Sequence, residues 1–246
     1  MYYTADDSFG KGQTVFIVEE LLWDNHPELV NTWQGYERPA IRKLPEFEWS
    51  KSDRFYASEK AKEAGYLHGT GITSKVVGWQ LGLAKKAQVI LVPGHYYLAT
   101  DLWNTIWEQY LEKFIRIYHE VKRLYAEDPS QRGKVIVSMS VAFMDHQSAA
   151  VMKPIYIKRW HWLIMAPAYA VHSGYSETGI VYGAVGNSFA TPTIAGLVAY
   201  WRGLPDIKNG WGEELKKPAN VKKLLQFMHR SIDPKNLAKG LDRSKV

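Results

Sequence analysis

The chain has 246 residues, of which 46% are hydrophobic and 13% aromatic, and its formal net charge is +6. This length and apolar content suit a single globular domain over residues 1–246, although length alone would allow two domains. The absence of cysteine excludes disulfides, thiolate metal sites and cysteine nucleophiles. No apolar run approaches the length of a membrane span.

The positive charge is concentrated at the end of the chain, where residues 215–246 hold nine lysines and arginines against Asp233 and Asp242. A charge run of this kind indicates the solvated face of a C-terminal helix more often than a binding patch. No alternation with aromatic residues and no nucleic-acid motif supports the second interpretation. We therefore predict neither a nucleic acid nor a membrane as a partner.

Short apolar runs rich in β-branched residues predict buried parallel strands. In chain order these runs occupy residues 14–18, 89–92, 134–139 and 162–165. Residues 34–62 mix charges, prolines and aromatics without a period, which indicates a long surface excursion.

The clearest predicted helix covers residues 101–126, where apolar and aromatic side chains recur at three- and four-residue spacing. This row consists of Trp103, Trp107, Tyr110, Phe114, Tyr118, Val121 and Tyr125. Asp101 suits the N-cap, and Pro129 follows the end of the helix. We predict that the row packs against a sheet and does not form a ligand-binding box. A last amphipathic helix is predicted at 218–228.

Strands that alternate with helices predict an α/β fold of three layers, with a mostly parallel sheet covered by helices on both faces. Functional sites in such sheets lie at the carboxyl ends of the strands. Glu19 ends the first strand, and His68 and Ser188 are both predicted to open helices. We therefore expect these three residues to meet at one edge of the sheet.

The segment from Gly186 to Pro192 reads Gly-Asn-Ser-Phe-Ala-Thr-Pro and precedes an apolar run. Proline suits the first turn of a helix, because its missing N–H would be unpaired there in any case. Ser188 is then at a helix N-terminus, where backbone N–H groups and the helix dipole favour a developing negative charge. Ser188 is accordingly a candidate nucleophile or, in the simpler interpretation, only the cap of the helix.

A second segment, His-Gly-Thr-Gly-Ile-Thr-Ser at residues 68–74, places a histidine at the start of another small-residue helix. Together the two segments resemble the motifs of the subtilisin-like serine proteases (subtilases), especially fungal ones. The family motifs read His-Gly-Thr-x-Val-Ala and Gly-Thr-Ser-x-Ala-Thr-Pro, and they occur in this order. The segments 10–18 and 26–29, the strand that ends at Ser140 and the pair Ala166-Pro167 also resemble family segments.

The resemblance implies a serine endopeptidase that works through an acyl-enzyme, with Ser188 as nucleophile and His68 as general base. The family's catalytic aspartate falls on Glu19. Glutamate has the right charge but is one methylene longer, so we expect its oxygens to overshoot His68 unless the strand end retracts. The resemblance also implies a protein or peptide substrate.

The family's oxyanion-binding asparagine has no counterpart, because residues 141–186 contain no asparagine. Asn187 is a tentative substitute, although asparagine is also a common turn residue. The segment between Ser140 and Leu163 is shorter than in the family, so we predict a truncated or internally shortened domain with some strands missing. We therefore expect weakened proteolysis. The alternative is an inactive pseudoprotease that serves as a peptide-binding or interaction module.

No cofactor is predicted. Some family members bind structural calcium, but no metal ligands could be matched in this chain. The family is expected to be extracellular and to carry a propeptide. The chain shows neither a signal segment nor a propeptide.

Overall fold

The structure of the protein is a computed structural model that describes ten segments of the chain. These segments are residues 7–19, 21–31, 35, 41–45, 59–93, 103–140, 171–173, 179–184, 186–205 and 214–228. The predicted strand at 162–165 and the pair Ala166-Pro167 lie outside them.

Four strands form a parallel sheet in the order β2-β3-β1-β4. They are β1 (Thr14–Glu19), β2 (Arg42–Lys43), β3 (Gln88–Pro93) and β4 (Val135–Met139). β1 is a central strand, and all six of its residues are buried. Two further strands, β5 (Val171–Ser173) and β6 (Val181–Ala184), pair antiparallel as a separate sheet.

Five α-helices and one 3-10 helix (Pro129–Gln131) accompany the strands in the described segments. The α-helices are named in chain order. They are α1 (Pro27–Val30), α2 (Glu59–Val77), α3 (Trp103–Glu127), α4 (Asn187–Gly203) and α5 (Pro218–Met228). Within the described part of the chain, no helix combines the length and apolar character needed to cross a membrane.

Helices cover both faces of the parallel sheet. Val15 and Ile17 of β1 face a core that contains Ile72 of α2 and Ala199 of α4. The alternate residues of β1 face a second core that contains Ile117 of α3. Successive side chains of a strand point to opposite faces, so the middle of a strand that is buried on both sides is apolar, as in Val15–Val18. The predicted α/β fold with a mostly parallel sheet is confirmed.

Two predicted helix starts are wrong. α2 begins at Glu59, nine residues before His68, so His68 lies within the helix. Glu59, Lys60 and Ala61 begin a stretch of strong helix formers that had been assigned to the surface excursion. Pro192 likewise lies inside α4, whose N-cap is Gly186. Ser188 is nevertheless the second residue of that helix, as its position at a helix N-terminus requires.

Among the described side chains of α3, the buried face differs in part from the predicted aromatic row; the side chains of Trp103, Trp107 and Tyr110 are not described. Ile117 is buried, and Val121 and Leu124 pack against the same core. Tyr118 is 59% exposed, with the Lys122 ammonium 5.5 Å from the centre of its ring. Both rows contain Val121, so they are adjacent stripes of one helix. The more aliphatic stripe contacts the sheet because it fits against the β-branched strand residues.

His26 caps α1 and ties it to a distant segment. Its Nδ1 accepts the Glu28 backbone N–H at 3.1 Å. Nδ1 is therefore unprotonated, so Nε2 carries the proton and donates to the Gly179 carbonyl at 3.2 Å. This buried neutral ring links α1 to the chain just before β6.

Glu28 and Lys85 form a buried polar network between α1 and the turn after α2. Both residues are almost completely buried. The Glu28 carboxylate accepts the N–H groups of Leu81 at 3.0 Å and Gln80 at 3.3 Å. The Lys85 ammonium donates to the carbonyls of Gly82, Gln80 and Gly78. The network satisfies backbone groups of a turn that has no regular secondary structure.

Burial disfavours the ionised forms of both Glu28 and Lys85. It raises the pKa of Glu28, although the Leu81 and Gln80 N–H groups and the charges of Lys85 and Lys75 partly offset this effect. Burial lowers the pKa of Lys85 to about 8, against the attraction of Glu28. Burial also lowers the pKa of Lys75.

We predict that the free energy of unfolding increases as the pH rises from about 8 towards the ordinary lysine value of 10.5. In this range the unfolded chain holds a proton on Lys85 that the folded protein has lost, so alkaline pH favours the folded state. After allowance for solvent screening we expect about 1–2 kcal/mol. Urea denaturation at pH 7.5 and pH 10 measures this difference. Lys85→Met should reduce the increase, whereas the surface substitution Lys122→Met should leave it unchanged. An undiminished increase in Lys85→Met would contradict the prediction.

Candidate active site

Glu19 is the last residue of β1, where it lies opposite Pro93 in the parallel register. Its side chain is 1% exposed, and Oε2 accepts a hydrogen bond from His68 Nδ1 at 2.9 Å. Among the described residues, the other carboxylate oxygen, Oε1, has no hydrogen-bond partner. The expected overshoot of the longer side chain does not occur, because the spacing between the end of β1 and α2 fits a glutamate.

The contact with Glu19 determines the orientation of the His68 imidazole. An ionised carboxylate only accepts hydrogen bonds, so Nδ1 carries the ring proton and Nε2 is the basic nitrogen. The His68 side chain is 33% exposed, whereas Glu19 is buried. The partly exposed imidazole can therefore act as a general base, and the buried carboxylate can stabilise the imidazolium that forms.

The residues after His68 hold the loop that follows Glu19. A Cβ at Gly69 would lie 1.8 Å from the Leu21 carbonyl oxygen, so only glycine allows this approach. Thr70 Oγ1 accepts the Trp23 backbone N–H at 2.9 Å. These two contacts join the loop to α2 directly beside His68. They fix the distance over which Glu19 reaches the imidazole.

Ser188 lies in the first turn of α4. Gly186 caps this helix with φ of 137°, a conformation that L side chains rarely adopt, and makes no side-chain cap bond. Among the described residues, no acceptor pairs with the Ser188 N–H. A Cβ at Gly186 would lie 3.9 Å from this nitrogen, so glycine also leaves the space beside it open. The N–H and the helix dipole favour a negative charge at this position.

The first turn of α4 lies against both α2 and the sheet. The ring of Phe189, the residue after Ser188, meets the His68 imidazole edge-on with centroids 6.1 Å apart. Ser140, which follows β4, donates its hydroxyl to the Ser188 carbonyl at 3.3 Å. The structure thus brings Glu19 and His68 into direct contact and places the turn that carries Ser188 beside them, at the carboxyl ends of β1 and β4.

Parts of the predicted site lie outside the described residues. Asn187 is the first residue of α4, but its side chain is not described, so its tentative oxyanion role stays a prediction. Among the described residues, no group of three or more histidine, cysteine, aspartate or glutamate side chains could hold a metal ion.

Sequence reasoning missed three contacts around the site, namely those of Gly69, Thr70 and Ser140. The first two depend on a loop distant in the chain and give no local signal. The third could have been inferred, because a proline four residues after Ser188 leaves the Ser188 carbonyl without its helical donor.

No protein-family model matches the chain, and no curated protein matches its sequence. Several solved structures resemble its fold. The PatG macrocyclase domain is 14% identical over 93% of this chain and 86% of that chain, with a TM-score of 0.50. A cold-adapted subtilisin-like serine proteinase is 15% identical over 87% and 83%, with a TM-score of 0.48. The prenylagaramide maturation protease PagA is 16% identical over 84% and 78%, with a TM-score of 0.45. At these identities the likeness concerns the fold alone. Of these three structures, the macrocyclase domain has the TM-score that supports a shared fold.

We predict that Gly69→Ala destabilises the protein by at least about 2 kcal/mol, because the new Cβ would collide with the backbone at Leu21. Gly196→Ala is the matched control, since the Cβ there would lie no closer than 3.4 Å to any neighbour. Helix propensity favours both substitutions by up to about 1 kcal/mol, so their difference reports the collision. Urea denaturation of both variants measures it. Equal stability of the two would show that the Leu21 loop can move away from α2.

Proposed function

We propose that the chain is a subtilisin-like serine endopeptidase that cleaves protein or peptide substrates through an acyl-enzyme. The observation that carries the proposal is the 2.9 Å contact between buried Glu19 and His68, next to the helix turn that holds Ser188. A carboxylate, an imidazole with a defined tautomer and a serine at a helix N-terminus are the groups that acyl transfer requires.

In this mechanism the Ser188 hydroxyl attacks the carbonyl carbon of the scissile bond, and His68 Nε2 takes the hydroxyl proton. Glu19 stabilises the imidazolium that forms. The Ser188 backbone N–H and the α4 dipole stabilise the oxyanion of the tetrahedral intermediate. His68 then returns the proton to the leaving amine as the C–N bond breaks. Water repeats the sequence and releases the acid product from Ser188.

We expect this activity to be weak. In subtilisin, loss of the side-chain donor of the oxyanion hole lowers kcat by about 10²–10³-fold. Residues 141–186 hold no asparagine to supply such a donor. The Ser188 N–H, with Asn187 as a second candidate donor, would have to stabilise the oxyanion.

A second candidate function is a non-catalytic peptide-binding module. It is favoured by the sequence of residues 141–186, which holds no asparagine that could supply a side-chain donor to the oxyanion.

Labelling with a fluorophosphonate, which reacts with an activated serine, distinguishes the two functions. We expect slow labelling of the wild type at Ser188, identified by peptide mass spectrometry. Ser188→Ala should abolish the labelling and His68→Ala should reduce it severely. A folded wild-type protein that is not labelled at Ser188 would support the binding module and contradict the endopeptidase.

We predict that Glu19→Asp lowers activity and does not restore the turnover of a complete subtilase. Removal of one methylene withdraws the carboxylate by about 1.5 Å from His68, and the missing oxyanion donor is not replaced. Glu19→Gln keeps the reach but removes the charge, so we expect a loss of about 10²–10⁴-fold from it. Hydrolysis of a chromogenic peptide measures both. An increase of 100-fold or more in Glu19→Asp would refute the claim that the longer side chain fits this site.

A further inference from the structure

We propose that Ser140 is a positioning residue for Ser188, because its hydroxyl replaces the backbone donor that Pro192 lacks. The catalytic consequence rests on the proposed endopeptidase function. The hydrogen bond itself depends only on α4 and on the residue that follows β4.

The backbone of α4 lacks one hydrogen-bond donor near its start. In a regular helix the carbonyl of Ser188 accepts the N–H of the residue four positions later. That residue is Pro192, which has no N–H and lies inside the helix. The usual bond from residue 192 therefore cannot form, and the first turn loses one of its connections to the second.

The missing donor is replaced from the sheet. Ser140 Oγ donates to the Ser188 carbonyl at 3.3 Å. Ser140 directly follows β4, and β4 pairs with β1 up to the register pair Val18–Met139. Because Glu19 comes directly after Val18, the same pair of strands places both residues. Glu19 supports His68, and Ser140 supports the turn that carries Ser188.

Arg202 holds the opposite end of α4 independently. Its guanidinium donates to the Leu215 carbonyl at 2.8 Å and to the Val135 carbonyl at 3.3 Å. α4 is thus attached to β4 at both ends. Loss of the Ser140 hydroxyl should loosen only the turn of Ser188, and the fold should survive.

The test is a double-mutant cycle of Ser140→Ala and Pro192→Ala, read as the rate of fluorophosphonate labelling at Ser188. Ser140→Ala should slow labelling about three- to tenfold in the wild-type background. Pro192→Ala supplies a helical N–H for the Ser188 carbonyl, so Ser140→Ala should then have less than a twofold effect. With a peptide substrate the loss should appear in kcat, with KM unchanged. Ser140→Thr keeps a hydroxyl and should restore most of the rate.

Ser138→Ala is the matched control, since it removes a serine hydroxyl two residues earlier, within β4. Ser138 is buried, and its Oγ has no partner among the described residues. This variant should show no coupling to Pro192→Ala. Equal effects of Ser140→Ala in both backgrounds, or no effect in either, would overturn the proposal.

Failure of the endopeptidase proposal can be recognised separately. If Ser188 of the wild type is not labelled, the same cycle is read from urea denaturation midpoints. The midpoint shift caused by Ser140→Ala should then be smaller in the Pro192→Ala background. Coupling in the midpoints supports the Ser140 bond even in an inactive protein, and additive midpoints overturn it.

Discussion

The pairing of β1 with both β3 and β4 is the constraint on which the rest of the structure depends. All six residues of β1 are buried, because helices cover both faces and strands cover both edges. A strand held on four sides cannot shift without opening two cores. Its end therefore places Glu19 at a fixed point, and its ladder with β4 places Ser140 at another. His68 and the first turn of α4 are arranged around these two points.

Two buried glutamates illustrate different solutions to the same electrostatic problem. Glu28 lies among two backbone N–H groups and the positive charges of Lys75 and Lys85, and it stabilises a turn. Glu19 has one hydrogen bond, to His68, and one oxygen without a partner in the described part of the chain. A carboxylate that is only partly satisfied costs stability, and such costs are common at functional sites. Glu28 Oε1 also lacks a partner among the described residues, so Glu19 differs from Glu28 in its bond to the partly exposed imidazole of His68.

The strands β1, β3 and β4 were predictable from continuous apolar runs, such as Val15–Val18 and Val89–Val92. β2 lies within the predicted surface excursion at 34–62, and β5 and β6 were not predicted, because strands of two to four residues are too short to show a clear pattern. Helix starts were less predictable. Glu59–Leu67 has good helix formers but sits beside an irregular segment, and Pro192 is an ambiguous marker of position within a helix. The predicted stripe of α3 was wrong at Tyr118, which is exposed, whereas Val121 packs against the sheet core as predicted.

The sequence by itself determined the strands β1, β3 and β4, the helices α3 and α5, the position of Ser188 in a first helical turn and the residue types that could serve acyl transfer. These features follow from local periodicity and from the conformational limits of glycine and proline. Only the tertiary structure decided that Glu19 reaches His68, that Gly69 contacts the Leu21 carbonyl and that Ser140 supports Ser188. Each of these contacts joins residues 48 or more positions apart, so its distance depends on how helices pack on the sheet and not on any local pattern.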